Sequence, residues 1–247
     1  IGSRYAIFLG KVNSGKSYVV FGKANGTTVN LSDIASASGT GTGGFVVNGE
    51  KEGDYSGCSV SSAGDVNGDG LNDVIIGALY ADSVGGVNAG KSYVVFGKMN
   101  TTAIDLSDMA SRDSTDGFII NGAKFSNLSG WSVSSAGDVN GDGLGDLIVG
   151  AHAANPFART YAGKAYVVFG KRSSAPINLS DIELGIGGFV INGDKSCDYS
   201  GDSVSSAGDV NGDGLDDLII GASGAGPAKL RDAGKSYVIF GKTDTAA

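Results

Sequence analysis

A ten-residue phrase written three times constrains this chain more than any other feature. It reads DVNGDGLNDV at 65–74, DVNGDGLGDL at 138–147 and DVNGDGLDDL at 209–218. Side-chain oxygens fall on alternate positions of every copy. They belong to Asp65, Asn67, Asp69 and Asp73, then to Asp138, Asn140, Asp142 and Asp146, then to Asp209, Asn211, Asp213 and Asp217. Leu71, Leu144 and Leu215 hold the seventh position, where only a backbone carbonyl is needed. Gly68 and Gly70, with their equivalents, permit turns that a Cβ resists. Hard carboxylate and amide oxygens at this spacing suit Ca²⁺, so three calcium sites are expected. Mg²⁺ demands tighter octahedral geometry, and the absence of His and Cys disfavours zinc.

The first half of the phrase has the spacing of an EF-hand loop, but the second half departs from it. Position 12 is Ile76, Val149 or Ile220, where an EF-hand carries a bidentate Glu. The expected setting is therefore a strand–loop–strand hairpin closed by Asp73 and its equivalents, with an ion-free Asx-rich turn as the alternative. Without the terminal Glu, affinity is expected on the order of 10⁻⁴–10⁻³ M, as a structural clamp and not a sensor.

The phrase sits at one place in a longer repeat. FGK recurs at Phe21, Phe96, Phe169 and Phe240, with intervals of 75, 73 and 71 residues, and the loop phrase keeps the same spacing. Each unit resolves into four strand-like runs rich in β-branched and aromatic residues between Gly and Asx turns. The first lies at 59–63, 132–136 and 203–207. The second lies at 74–76, 147–149 and 218–220, and is apolar on both faces, as for a strand covered by neighbours. The third lies at 16–21, 91–96, 164–169 and 235–240. The fourth lies at 45–48, 118–121 and 189–192. An N-terminal run at 5–9 is expected to be a second strand. The triplet LSD at 31–33, 106–108 and 179–181 is expected to form a tight connector with its apolar residues tucked inward, its Ser and Asp capping one helical turn.

Four antiparallel strands repeated radially describe β-propeller blades. The predicted fold is all-β, with a partial blade at 1–50, blades at 51–123 and 124–194, and a partial blade at 195–247. These make 14 strands, or three and a half blades. Open edges invite pairing, so either a longer polypeptide or a second copy is expected to complete the ring.

Composition agrees. Of 247 residues 43 are Gly and only three are Pro, and no Gly-X-Y period occurs, which excludes collagen. The formal net charge of −8 argues against nucleic acid and anionic membranes as partners. Much of that charge lies in the loop phrases, so three bound Ca²⁺ would bring it to about −2. No apolar run approaches the ~18 residues of a membrane helix. Cys58 and Cys197 sit at non-equivalent repeat positions, which favours free thiols over a disulfide.

The segments 57–78 (GCSVSSAGDVNGDGLNDVIIGA), 130–151 and 201–222, each followed by an AGK-aromatic strand, resemble FG-GAP repeats, the blades of the integrin alpha-subunit propeller. The resemblance covers essentially the whole chain. It implies Ca²⁺ between the first two strands of a blade, held by the five loop positions named above. It also implies an extracellular or cell-surface setting. Two departures loosen the likeness to integrins. The expected Phe-Gly is replaced by Gly57-Cys58, Gly130-Trp131 and Gly201-Asp202. The Pro after Gly-Ala is replaced by Leu79, His152 and Ser223.

No catalytic constellation emerges. His152 is the sole His, no G-x-S-x-G elbow exists, and carboxylate pairs are confined to the loops. Trp131 is open to two readings, core packing and a platform for sugar or protein. The segments 81–89, 153–162 and 223–233 differ in every unit while the strands barely change, which suits recognition on one rim and equally suits neutral drift. The expected function is a non-catalytic, calcium-binding module for adhesion or binding of a protein or glycan. The alternatives are a self-assembling structural unit and an accessory propeller of a larger hydrolase.

Overall fold

Glycine and Asx turns cut the apolar runs of this chain into short strands, and the computed structural model describes them over residues 1–35, 43–110, 114–226 and 232–243. In chain order they are β1 (Gly2–Ser3), β2 (Lys16–Val20), β3 (Gly44–Asn48), β4 (Ser59–Gly64), β5 (Asp73–Ala78), β6 (Lys91–Val95), β7 (Ile104–Asp105) and β8 (Gly117–Asn121). There follow β9 (Ser132–Gly137), β10 (Asp146–Ala151), β11 (Lys164–Val168), β12 (Ile177–Asn178), β13 (Gly188–Asn192), β14 (Ser200–Gly208), β15 (Asp217–Ala222) and β16 (Lys235–Ile239). They form four sheets: β1-β2-β3-β7, β4-β5-β6-β8-β12, β9-β10-β11-β13 and β14-β15-β16. The first strands β4, β9 and β14 lie side by side across consecutive sheets. This is a partial propeller: two blades of four antiparallel strands flanked by two that each hold three.

Two expectations change. The apolar run at 5–9 is not a strand. Gly2 pairs with Ser17 as Gly77 pairs with Ser92, so Gly2–Ser3 is the second-strand remnant. Residues 5–9 then fall in the following loop, where Ile7 and Leu9 are exposed. The second change is an addition. β7 and β12 run parallel to β3 and β8 of the preceding blade, so each third-to-fourth connector reaches back and extends its neighbour's sheet. Asn48 Nδ2 donates to Asp105 Oδ1 at 2.7 Å, and Asn121 Nδ2 to Asn178 Oδ1 at 3.1 Å, at these seams.

The LSD connectors form short helical turns at Leu31–Ile34, Leu106–Ala110 and Leu179–Ile182. Leu106, Met109, Leu179 and Ile182 are buried, as expected. The expected backbone capping is not made in the first and third turns. Asp33 and Asp181 instead accept from the side-chain amides of Asn30 and Asn178 at 3.2 Å.

The core lies between blades. Phe45 and Val47 of the first blade pack with Ile76, Tyr93 and Val95 of the second. Ile75, Val94 and Phe118 of the second pack with Val133, Leu147 and Tyr166 of the third. Each such side chain contributes about 1.5–3 kcal/mol on burial. The FGK phrase is part of this seam. Phe96 meets Phe118 edge-on at 6.0 Å between ring centroids, and Lys171 of the next blade covers the Phe118 ring at 4.5 Å. The same pairing joins Phe21, Phe45 and Lys98, and joins Phe169, Phe189 and Lys242. A cation over a ring face is attracted by the ring quadrupole. In the last blade, Ile219 and Val238 are exposed where their equivalents Ile75, Val94, Ile148 and Val167 are buried.

Candidate metal centre

The loop phrase turns the chain between β4 and β5, between β9 and β10, and between β14 and β15, and each turn is built by its own side chains. Asp65 Oδ1 accepts from the amides of Gly68 (2.7 Å) and Asp69 (3.1 Å), and Asp65 Oδ2 from Gly70 (2.9 Å). Asn67 Oδ1 accepts from Asp69 N, and Asp69 Oδ1 from Leu71 N, both at 2.8 Å. Asn67 Nδ2 donates to Asp69 Oδ2 at 2.9 Å. Gly68 and Gly70 take φ of 75° and 88°, the left-handed region where a Cβ is penalised. Asp138, Asn140 and Asp142 repeat every one of these bonds, as do Asp209, Asn211 and Asp213.

The ninth-position Asp faces inward. Asp73 is buried, and its two oxygens accept from Val66 N at 3.0 Å and from Gly97 N at 2.7 Å. Gly97 is the glycine of FGK, so the two markers of the repeat meet at this carboxylate. Asp146 is held likewise by Val139 and Gly170, and Asp217 by Val210 and Gly241. Among the described residues, no three His, Cys, Asp or Glu side chains are grouped to hold a metal ion. The loop thus gathers the first, third and fifth positions through its own amides, while the ninth is tied to the blade beneath.

Electrostatics distinguish the two layers. Burial raises the Asp73 carboxyl to about 6, against the pull of the Gly97 and Val66 amides, and the charges of Asp69 and Asp65 push it further up. Asp146 reaches about 7 for the same reasons, with Asp142 and Asp138 as the charged neighbours. Burial also pushes Asp65 up, but the amides of Gly70, Gly68, Asp69 and Asn67 outweigh it and hold the group below the ordinary range. Carboxylates that raise one another's pKa are the arrangement a bound cation relieves. A carboxylate has about four lone-pair sites, so the oxygens engaged by amides retain acceptor capacity. The donor set therefore fits a hard divalent cation, Ca²⁺ before Mg²⁺.

The opposite end of the blades carries the variable loops. At the junction of the third and fourth blades, Trp131, His152, Tyr199 and Tyr161 form a row of rings with successive centroid distances of 4.0, 6.1 and 5.8 Å. Trp131 is 36% exposed, so it is not the core residue that one of its readings implies. His152 is half-buried, and burial lowers its pKa against the opposing charge of Asp202. Tyr5, Tyr55 and Tyr80 make a second row between the first two blades. Sequence reading missed both rows. The signal was present in Tyr55 and Tyr199, which share one repeat position. Cys58 and Cys197 are free thiols. Part of the third variable segment, 227–231, lies outside the described residues.

The FG-GAP repeat family matches residues 59–95, 129–168 and 200–239, the first three strands of three successive units. Phosphatidylinositol-glycan-specific phospholipase D of Bos taurus is 32% identical over 185 residues, covering 70% of this chain and 19% of the relative. Integrin alpha-PS5 of Drosophila melanogaster is 32% identical over 190 residues, 73% of this chain and 16% of the relative. Integrin alpha-11 of Homo sapiens is 31% identical over 186 residues, 71% of this chain and 13% of the relative. The matched stretch is thus at most 19% of these relatives' length. No helix among the described residues is long and apolar enough to cross a membrane. With three matched repeats, blades of the corresponding topology and integrin alpha subunits among its relatives, this chain is an integrin alpha-like FG-GAP repeat protein.

Proposed function

We propose that this chain is a calcium-stabilised, non-catalytic propeller module that binds a protein or glycan outside the cell or at its surface. The observation that carries the reading is the loop. Three copies make the same hydrogen bonds, and in the first two the ninth-position carboxyl has its pKa raised by burial and, to a lesser degree, by charged neighbours within the same turn. Asp65, Asn67, Asp69 and Asp73, with the Leu71 carbonyl, would hold the first ion. Asp138, Asn140, Asp142, Leu144 and Asp146 would hold the second, and Asp209, Asn211, Asp213, Leu215 and Asp217 the third. The ion supplies positive charge to a turn that has none of its own and so fixes the hairpin. Residues at the opposite rim do the recognising. The integrin and phospholipase D relatives are consistent with such a module, as adhesion receptor or as accessory to an enzyme.

The test is thermal unfolding in Ca²⁺ and in EDTA at low salt, with binding to glycan and protein arrays in both. At 10 mM Ca²⁺ and an affinity on the order of 10⁻⁴–10⁻³ M, each site stabilises by about 1.4–2.7 kcal/mol. An unchanged melt in EDTA overturns the calcium reading, and silent arrays overturn the recognition reading. A second reading, assembly through blade faces, is favoured by the exposed Ile219, Val238 and Phe240 of the last blade. On that reading further blades, from a longer polypeptide or a second copy, cover them. Sedimentation in Ca²⁺ that finds only compact monomer refutes the second copy.

A further inference from the structure

The first and second loops share ligands and hydrogen bonds but not neighbours. Each loop is overlaid by the following blade, and the residues that blade brings differ in charge. Over the first loop lies Arg172, just after the FGK of the third blade. A Cβ placed on Gly68 would stand 2.8 Å from Arg172 Nη1, so the guanidinium rests against the backbone of the turn. The residue equivalent to Arg172 over the second loop is Thr243, whose Cγ2 would stand 3.9 Å from a Cβ on Gly141.

The eighth position of the phrase supplies the other difference. Gly145 of the third blade donates its amide to Asp65 O at 2.8 Å and brings no side chain. Its counterpart Asp216 makes the same bond to Asp138 O at 3.1 Å. Asp216 also places Oδ2 2.9 Å from Asp138 N, accepting from the backbone of the first ligand residue. The first loop therefore has an added cation beside it and the second an added anion.

We propose that this chain's calcium sites are graded by the following blade, Arg172 weakening the first loop and Asp216 strengthening the second, so that calcium fills the second before the first. The inference rests on the calcium reading above. A unit charge several Å from a divalent ion, partly screened by water, changes affinity by roughly three- to ten-fold. Arg172 and Asp216 are positioning charges and not ligands in this scheme. Their effect is on the field at the ion, and it falls as salt rises.

Calcium titration of the ¹⁵N-glycine-labelled chain tests it, because the amides of Gly70 and Gly143 report on the first and second loops separately. In wild type the Gly143 signal is expected to saturate at roughly ten- to a hundred-fold lower Ca²⁺, the product of the two effects. Arg172→Thr tightens the first loop and leaves the second unchanged, while Asp216→Gly weakens the second and leaves the first unchanged. The double variant brings the two midpoints together. Arg172→Lys retains the charge and keeps the weak first site. Two sites of equal affinity in wild type, or midpoints indifferent to both substitutions, overturn the grading and leave the calcium reading standing. Glycine signals that do not respond to Ca²⁺ at all overturn both. The melting temperature of each calcium-free variant shows whether the fold itself has changed.

Discussion

The hairpin end of the blades and the opposite rim obey different rules. At the hairpin end the three turns match bond for bond, from the Asp65 amide cradle to the glycine of FGK on the ninth-position Asp. At the rim the loops differ in every blade, and even the buried ion pairs beneath them differ in origin. Lys91 meets Glu50 Oε2 at 2.7 Å, and Tyr93 OH donates to the same oxygen at 2.5 Å. Glu50 comes from the preceding unit. In the next blade Ala123 stands at the repeat position of Glu50. Lys164 and Tyr166 turn instead to Glu183, from their own blade's connector. A turn closed by its own amides on Asp65, Asn67 and Asp69 needs each backbone angle and each acceptor at once, and admits no substitute part. A buried ammonium needs only one carboxylate within reach, wherever the chain supplies it.

The largest effect that sharpens this contrast is expected at the two carboxylates. The Glu50–Lys91 pair has both side chains about nine-tenths buried, whereas Glu183 is 19% exposed. Each carboxylate also has a second, exposed cation, Lys51 at 3.6 Å and Lys124 at 3.2 Å. Removing one partner strands the other in a poorly solvated site. Glu50→Gln should cost about 3–5 kcal/mol, and Glu183→Gln about half of that or less, because the more exposed Glu183 carboxylate is already partly solvated. Chemical denaturation checks both. If supplier position is truly free, Ala123→Glu should recover most of the Glu183→Gln loss. Failure of that rescue would show that the carboxylate's place in the repeat matters as much as its charge.

A smaller effect is expected from pH. Burial and then the charge of Glu50 raise the Asp54 carboxyl to about 6, against the weaker pull of Lys91 and Lys51. Its unfolded value is about 3.9. Above pH 6 the native state carries this group ionised at a cost. As pH falls through 6 the native state takes the proton before the unfolded chain does. Stability therefore rises toward acid, by about 1–1.5 kcal/mol between pH 8 and pH 5. On the proposed calcium reading, saturating Ca²⁺ in the assay would suppress the like-signed contributions expected from Asp73 and Asp146. Asn127 occupies the same repeat position in the next unit. Asp54→Asn should accordingly fold well and lose that part of the slope, and an unaltered slope would place the titrating group elsewhere.

How far the sequence disclosed these things follows from what local pattern encodes. The second and third strands were readable because both of their faces meet neighbouring blades, which leaves continuous apolar runs. The turns were readable because Gly and Asp there answer to backbone angles within ten residues. The run at 5–9 deceived because a short continuous apolar run is consistent with a covered second strand but does not fix its place in the repeat; only the register of Gly2 against Gly77 places it in a loop. β7 and β12 left no signal, since two residues have no period and their pairing depends on a strand one blade away. Arg172, Asp216 and Glu183 were invisible for the same reason, as each acts on residues that are near only after folding.

The smallest effect on stability, and the largest on recognition, is expected at the rim. Val84, Phe125 and Phe157 are 75%, 67% and 75% exposed, and each lies on a loop or connector at that end. Side chains so open to water contribute little to the core, so each replacement by Ser should move unfolding by no more than about 0.5 kcal/mol. If the rim is where the module binds, one or more of these variants should lose its array ligand while keeping the wild-type melt and its calcium response. A variant that loses stability along with binding would make the rim a structural part, no different in kind from the hairpin end. A set that retains both would move recognition to the ring rows at Trp131 and Tyr55, where Tyr161 sits at φ 54° in a place that other units give to Asn13, Asn88 and Asp232. Asn and Asp tolerate that backbone far better than Tyr does. A strained aromatic kept at the surface is a cost that the fold alone does not require, so Tyr161→Asn should stabilise the chain slightly whether or not it abolishes binding.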